Sequence, residues 1–87
     1  MHAIAVKVTI NDREAAEEAL RGQVVPRVSG APGFVAGYWV NLSENRGTSL
    51  AMFESEDAAR AVAEQMQPPG DFVTFDSVDV GEVVAHA

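Results

Sequence analysis

Apolar and polar positions alternate through residues 2–10, HAIAVKVTI. His2, Ile4, Val6, Val8 and Ile10 fall on one side, and Ala3, Ala5, Lys7 and Thr9 on the other. A period of two marks a half-buried strand. The branched side belongs against helices, whereas the small side, with its single cation, borders space. Asn11 and Asp12 break the pattern, and REAAEEALRGQVVPRV follows with Ala16, Leu20, Val24 and Val28 spaced by four. That spacing is a helical stripe. Asn11 is expected to cap the helix, with Glu14 completing a capping box. Arg13 with Glu17, and Glu17 with Arg21, are i,i+4 ion pairs expected on the wet side. Pro26 lacks an amide hydrogen and turns Val25 away from helical angles. The helix is therefore predicted to kink or end near Gly22–Val25.

Ser29-Gly30-Ala31-Pro32-Gly33 is a turn cluster that leads into GFVAGYWVNLSENRGTSLAMFE, residues 33–54. This stretch reads as two strands joined by a polar turn over Ser43–Gly47. The first carries Phe34, Val35, Tyr38, Trp39, Val40 and Leu42, and the second Leu50, Met52 and Phe53. Ser55 is placed to cap a second helix, with Glu56 and Asp57 at its positive end and Ala58, Ala59, Val62 and Met66 as its apolar stripe. Gln67-Pro68-Pro69-Gly70 stops it. FVTFDSVDV, residues 72–80, is the last strand; Gly81 is a predicted bulge, and Val83 and Val84 prolong the strand. Strand, helix, strand, strand, helix, strand is the ferredoxin-like order, an α+β class. Right-handed crossovers put both helices on one face of one antiparallel sheet.

That arrangement leaves a deficit. The hairpin is apolar on both faces, yet the two helices cover only one. A single domain spanning residues 1–87 buries a modest share of its surface at this size, and without cysteine it has no disulfide to staple it. Pairing of the bare face with an identical copy in a homodimer is the expected remedy. Thirteen acidic against six basic residues give a formal charge of −7. This disfavours nucleic acid and anionic membranes as partners. No apolar run is long enough to span a membrane and no leader pattern opens the chain, so a cytoplasmic protein is expected.

Val25-Pro26, Pro32-Gly33-Phe34 and Gly37-Tyr38-Trp39, followed by a strand and Phe53-Glu54-Ser55-Glu56-Asp57-Ala58-Ala59, resemble the dimeric α+β barrel superfamily. Its members include the antibiotic-biosynthesis monooxygenase domains and uncharacterised actinobacterial relatives. The resemblance spans nearly the whole chain. It implies a homodimer with sheets face to face and a ligand cleft in each protomer between sheet and helices. It does not imply one activity, because the superfamily hosts oxygenases, haem-degrading enzymes and proteins of no known reaction. Haem-degrading members use an Asn, a Trp and an iron-ligating His. Phe53 stands about where their third-strand Trp would be, and no histidine lies between His2 and His86. Haem degradation is therefore not expected, and no cofactor is assigned.

Five residues are candidates to line such a cleft. Trp39 and Asn41 share a face of the second strand, and Ser49 and Phe53 share a face of the third. Cofactor-free oxygenases of the superfamily use Asn, Trp and Tyr to orient an aromatic substrate, and an indole N–H and an amide are suitable donors to an oxyanion. More often such residues serve as core or interface filler, their polar tips satisfied locally. Lys7 is the fifth, an ammonium for an anionic group or the partner of an acid such as Asp76 or Asp79 across a dimer. Two histidines at opposite termini do not make a metal site by spacing, although first and last strands are neighbours in this fold. No nucleophile–base–orienter set is present. The reading is a homodimer that binds a small organic molecule between sheet and helices, or is simply a stable dimer of unassigned role. The alternative is a cofactor-independent monooxygenase-like enzyme on a small aromatic or polyketide-like substrate.

Overall fold

In the computed structural model, which describes residues Met1–Ala87, the elements follow the predicted order. Strand β1 is His2–Ile10. The first helical rod consists of α1 (Arg13–Ala19), a π-helical turn (Leu20–Val24) and α2 (Val25–Ser29). The hairpin is β2 (Phe34–Asn41) and β3 (Arg46–Phe53); α3 (Glu56–Gln65) and β4 (Val73–Glu82) complete the chain. The four strands form one antiparallel sheet in the order β2-β3-β1-β4. This is the ferredoxin-like fold. The core lies between the sheet and the helices, around Ile4, Val6, Val28, Ala51, Phe53 and Ala59.

The first rod leaves α-helical geometry at Leu20–Val24, about where the break was predicted, and resumes as α2. It absorbs the proline by widening one turn, so that the Val25 amide donates five residues back to the Leu20 carbonyl. Its cap is also one residue later than expected. Asp12 Oδ1 accepts from the Ala15 amide at 3.2 Å, and no capping box with Glu14 forms. Asn11 is drawn instead toward β4. Its backbone amide donates to the Phe72 carbonyl, and its Nδ2 donates to the Asp71 carbonyl at 2.9 Å and to Thr74 Oγ1 at 3.2 Å. The second cap is as predicted, with Ser55 Oγ accepting from the Ala58 amide at 3.1 Å.

The predicted bulge at Gly81 is not there; Gly81 pairs regularly with Ala3. The irregularity lies at Asp76, the extra residue between Ser77 opposite Lys7 and Phe75 opposite Val8. Its purpose follows from the side chains. Phe75 and Val80 both pack against the core, yet their odd separation would put them on opposite faces of an unbroken strand. One inserted residue restores the phase, and Thr9 Oγ1 fixes the bulged carboxylate by donating to Asp76 Oδ2 at 2.8 Å. Strand β2 has a matching irregularity at Val35, between Phe34 opposite Phe53 and Ala36 opposite Met52.

The segments Pro32-Gly33-Phe34 and Phe53-Glu54-Ser55 meet where β2 begins and β3 ends. The Gly33 carbonyl accepts from the Glu54 amide at 2.8 Å. The Phe34 and Phe53 rings meet edge to face with centroids 5.8 Å apart, a favoured aromatic geometry. Gly33 has φ +82°, and a Cβ there would lie 3.0 Å from the Ala58 methyl. Both the backbone and the space demand glycine. Gly33→Ala is expected to lower the unfolding free energy by about 1–2 kcal/mol and the Tm by several degrees, measured by thermal and urea denaturation.

Candidate functional site

The helix-facing side of the sheet is not completely filled. Helix α1 stands off from the strands and leaves a cleft of about 100 Å³. Its roof is Ala16, Glu17, Leu20 and Val24. Val6, Val8, Gly47, Ser49 and Phe75 form its floor, Trp39 and Asn41 one wall, and Met66 and Pro69 the far end. The stripe Ala16–Leu20–Val24, which would otherwise be core, thus faces partly open space.

Gly47 keeps that space open. A Cβ there would lie 3.0 Å from Val8 Cγ2 and 3.3 Å from Ile10 Cδ1, so any larger residue would fill the floor. Gly37 plays the corresponding part for the wall. The Trp39 indole leans back along β2 over Gly37, where a Cβ would come within 2.8 Å of Cη2. Gly37-Tyr38-Trp39 is therefore one structural unit, with the glycine providing the bed on which the indole lies.

One polar interaction crosses the cleft mouth. Asn41 Nδ2 donates to Glu17 Oε1 at 2.9 Å. A carboxylate only accepts, so the amide nitrogen must face Glu17, leaving the amide oxygen and the second N–H for another partner. Glu17 is thus not committed to Arg13 or Arg21. The one ion pair of the chain is Arg60 with Glu56 at 2.9 Å, on the exposed side of α3. The Glu56 carboxyl is held below the usual carboxylate range by the Arg60 hydrogen bond first and by the Arg60 charge second.

Of the five candidates, Trp39, Asn41 and Ser49 meet in this cleft. Phe53 does not reach it. It is fully buried one layer away, against Phe34, and so is core rather than lining. Ala51, on the same strand face, is buried with it. Lys7 is on the opposite, open face, exposed, between Thr48 and Ser77 in neighbouring strands. No acid within the chain pairs with it. His2 and His86 do not meet: His2 stands opposite Phe53 and Glu82, whereas His86 lies by Ala3 and Leu50 on the open face. Sequence reasoning missed Glu17 and Gly47. Glu17 carried a signal, because with Leu20 and Val24 it forms an i, i+3, i+7 set, the pattern of a residue facing the sheet.

A wider groove of about 520 Å³ adjoins the cleft, running between α2 and α3. Val24, Met66, Pro69 and Phe75 line both spaces. The other face of the sheet carries Tyr38 (60% exposed), Val40 (47%) and Leu50 (41%), which no helix covers. A shallow trough there of about 530 Å³ is bounded by the C-terminal residues 83–87.

No protein-family model matches the sequence, and no curated protein matches it. Among solved structures, the chain is similar to a crystal structure of an MhuD point mutant with two manganese protoporphyrin IX molecules bound per active site. The TM-score is 0.70 at 18% identity, covering 100% of this chain and 98% of that one. At that identity the likeness establishes the fold. Of the usual porphyrin-iron ligands the cleft offers only the Met66 thioether; no histidine, cysteine or tyrosine lines it. No helix is long and apolar enough to cross a membrane. Gly37→Ala is expected to dislodge the Trp39 indole, the only one in the chain. The fluorescence emission should move to longer wavelength while the far-ultraviolet dichroism is retained.

Proposed function

We propose that the chain is a homodimeric binding protein for a small, mainly apolar molecule. The ligand lodges between the sheet and the first helical rod, with a hydroxyl or other donor directed at Glu17. The observation that carries this reading is the cleft itself. Gly47 holds it open, Trp39 provides a flat apolar wall, and Glu17, Asn41 and Ser49 supply the few polar groups that orient a ligand in such sites. At about 100 Å³ the cleft is smaller than the cavities of about 150 Å³ that take benzene, so a ring lodged beneath Trp39 extends toward the adjoining groove.

The second reading, a cofactor-independent monooxygenase, draws on the indole N–H of Trp39 and the amide of Asn41 as donors. The Glu17 carboxylate weighs against it. It occupies one of the two amide N–H groups and places a negative charge where an oxyanion would have to develop. The same carboxylate suits the binding of a neutral hydroxyl.

The size of the exposed surface supports association. The lone protomer exposes 5633 Å², whereas a monomer of 9.2 kDa is expected to expose roughly 4,900 Å². The excess of roughly 700 Å² is close to the ~800 Å² that each partner buries in a standard-sized interface.

Titration with 4-ethylphenol should shift the amide resonances of Gly47 and Ser49 and the indole N–H of Trp39 in nitrogen-15 spectra. Gly47→Val should abolish those shifts. Absence of any cleft response in the wild-type protein would remove the binding reading. Independently, sedimentation at micromolar concentration should give twice the protomer mass. Leu50→Lys with Tyr38→Asp should give a folded monomer, and a monomeric wild type would refute the dimer.

A further inference from the structure

The groove beside the cleft has an electrostatic character unlike the rest of the molecule. The protein carries thirteen acids, yet none of them lines this groove. Its single charged residue is Arg27, on α2, which has no carboxylate partner in the chain. All three glutamines of the chain, Gln23, Gln65 and Gln67, stand around the same space. Between them the walls are apolar, from Val24, Val62 and Met66 among others. A guanidinium flanked by neutral amide donors over an apolar floor matches a carboxylate with a hydrocarbon body. Arginine binds carboxylate through two parallel N–H donors, and glutamine N–H groups can satisfy the remaining lone pairs.

We propose that cleft and groove form one channel for an elongated amphipathic monocarboxylic acid, its carboxylate held at Arg27 and its other end, apolar but for a hydroxyl or other donor to Glu17, lodged beneath Trp39. This rests on the binding reading above and names its ligand class. The two spaces share Val24, Met66 and Phe75 as lining, so a single chain passes from one to the other along an apolar surface. Charge fixes its direction. The cleft end carries the Glu17 carboxylate, which repels an anion, and the groove end carries Arg27, which attracts one. Met66, an unbranched thioether at the junction, adjusts to bodies of different width. The π-helical turn Leu20–Val24 belongs to the same design. It carries the rod past Pro26 without breaking, so that Leu20 and Val24 over the cleft and Arg27 over the groove lie on one continuous rod. The groove volume of about 520 Å³ lies within the range of small-molecule sites.

The test uses decanoate and decanamide, which share a hydrocarbon body and differ in charge, and reads binding by calorimetry and by the emission of Trp39. Decanoate is expected to bind about tenfold more tightly than decanamide, and both are expected to perturb Trp39. Arg27→Gln should abolish the preference without weakening decanamide, and Arg27→Lys should retain part of it. Shortening the acid to octanoate should weaken binding by roughly fourfold for each methylene removed. Equal affinity of decanoate and decanamide for the wild type would overturn the proposal, as would equal weakening of both by Arg27→Gln. If decanamide and 4-ethylphenol still act on Trp39 in that case, the cleft reading stands and the carboxylate channel alone falls. If none of these molecules disturbs Trp39, both fall together.

Discussion

A pleated sheet has two faces, and this chain contains helical material for only one of them. Nearly every feature of the molecule follows from how that shortage is distributed. The second rod, α3, is short and alanine-rich, and Ala59 sits fully buried against the core. The first rod is packed tightly at its C-terminal end, where Val28 is buried, and loosely at its N-terminal end, where α1 stands over the cleft. Only 10 of 87 residues are buried, so the core is thin.

The junction of Pro32-Gly33-Phe34 with Phe53-Glu54-Ser55 locks this arrangement. Gly33 supplies a left-handed backbone that β-carbons disfavour, and its lack of a side chain admits the Ala58 methyl of α3. Phe34 and Phe53 fill the corner between sheet and helices. This junction joins the hairpin to the second rod, whereas the cleft lies under the first.

The cleft region shows the same economy in its small residues. Gly37 accommodates the indole and Gly47 preserves the floor. Glycine in a strand interior costs stability through backbone entropy and missing packing. Two such glycines within eleven positions of one hairpin, both on the helix-facing side, are a cost accepted where the sheet must leave room. The hairpin turn adds a third departure from the ordinary. Glu44 and Asn45 both have positive φ, 61° and 60°, the backbone that matches the twist of a tight two-residue hairpin.

Element order, helix-facing side of β1 and the cap at Ser55 were all written in hydrophobic period and turn chemistry, which depend on neighbours in the chain and need no distant partner. Other features were legible but subtler. The shift from Val73 and Phe75 to Val78 and Val80 is a slip of one in the apolar alternation, and Asp76 bulges at that slip. Strict spacing by four from Ala16 to Val28 drifts about 40° per step around an ordinary helix of 3.6 residues per turn, and the wider π turn takes up part of that drift. What no local pattern held was decided by tertiary structure: Asn11 yielding its cap to Asp12 because Asp71, Phe72 and Thr74 offered it acceptors, Glu17 turning from its helical neighbours to Asn41, and Phe53 leaving the cleft for the core. A side chain's face follows from its parity in the strand, but its partner depends on which distant segment folding brings within reach.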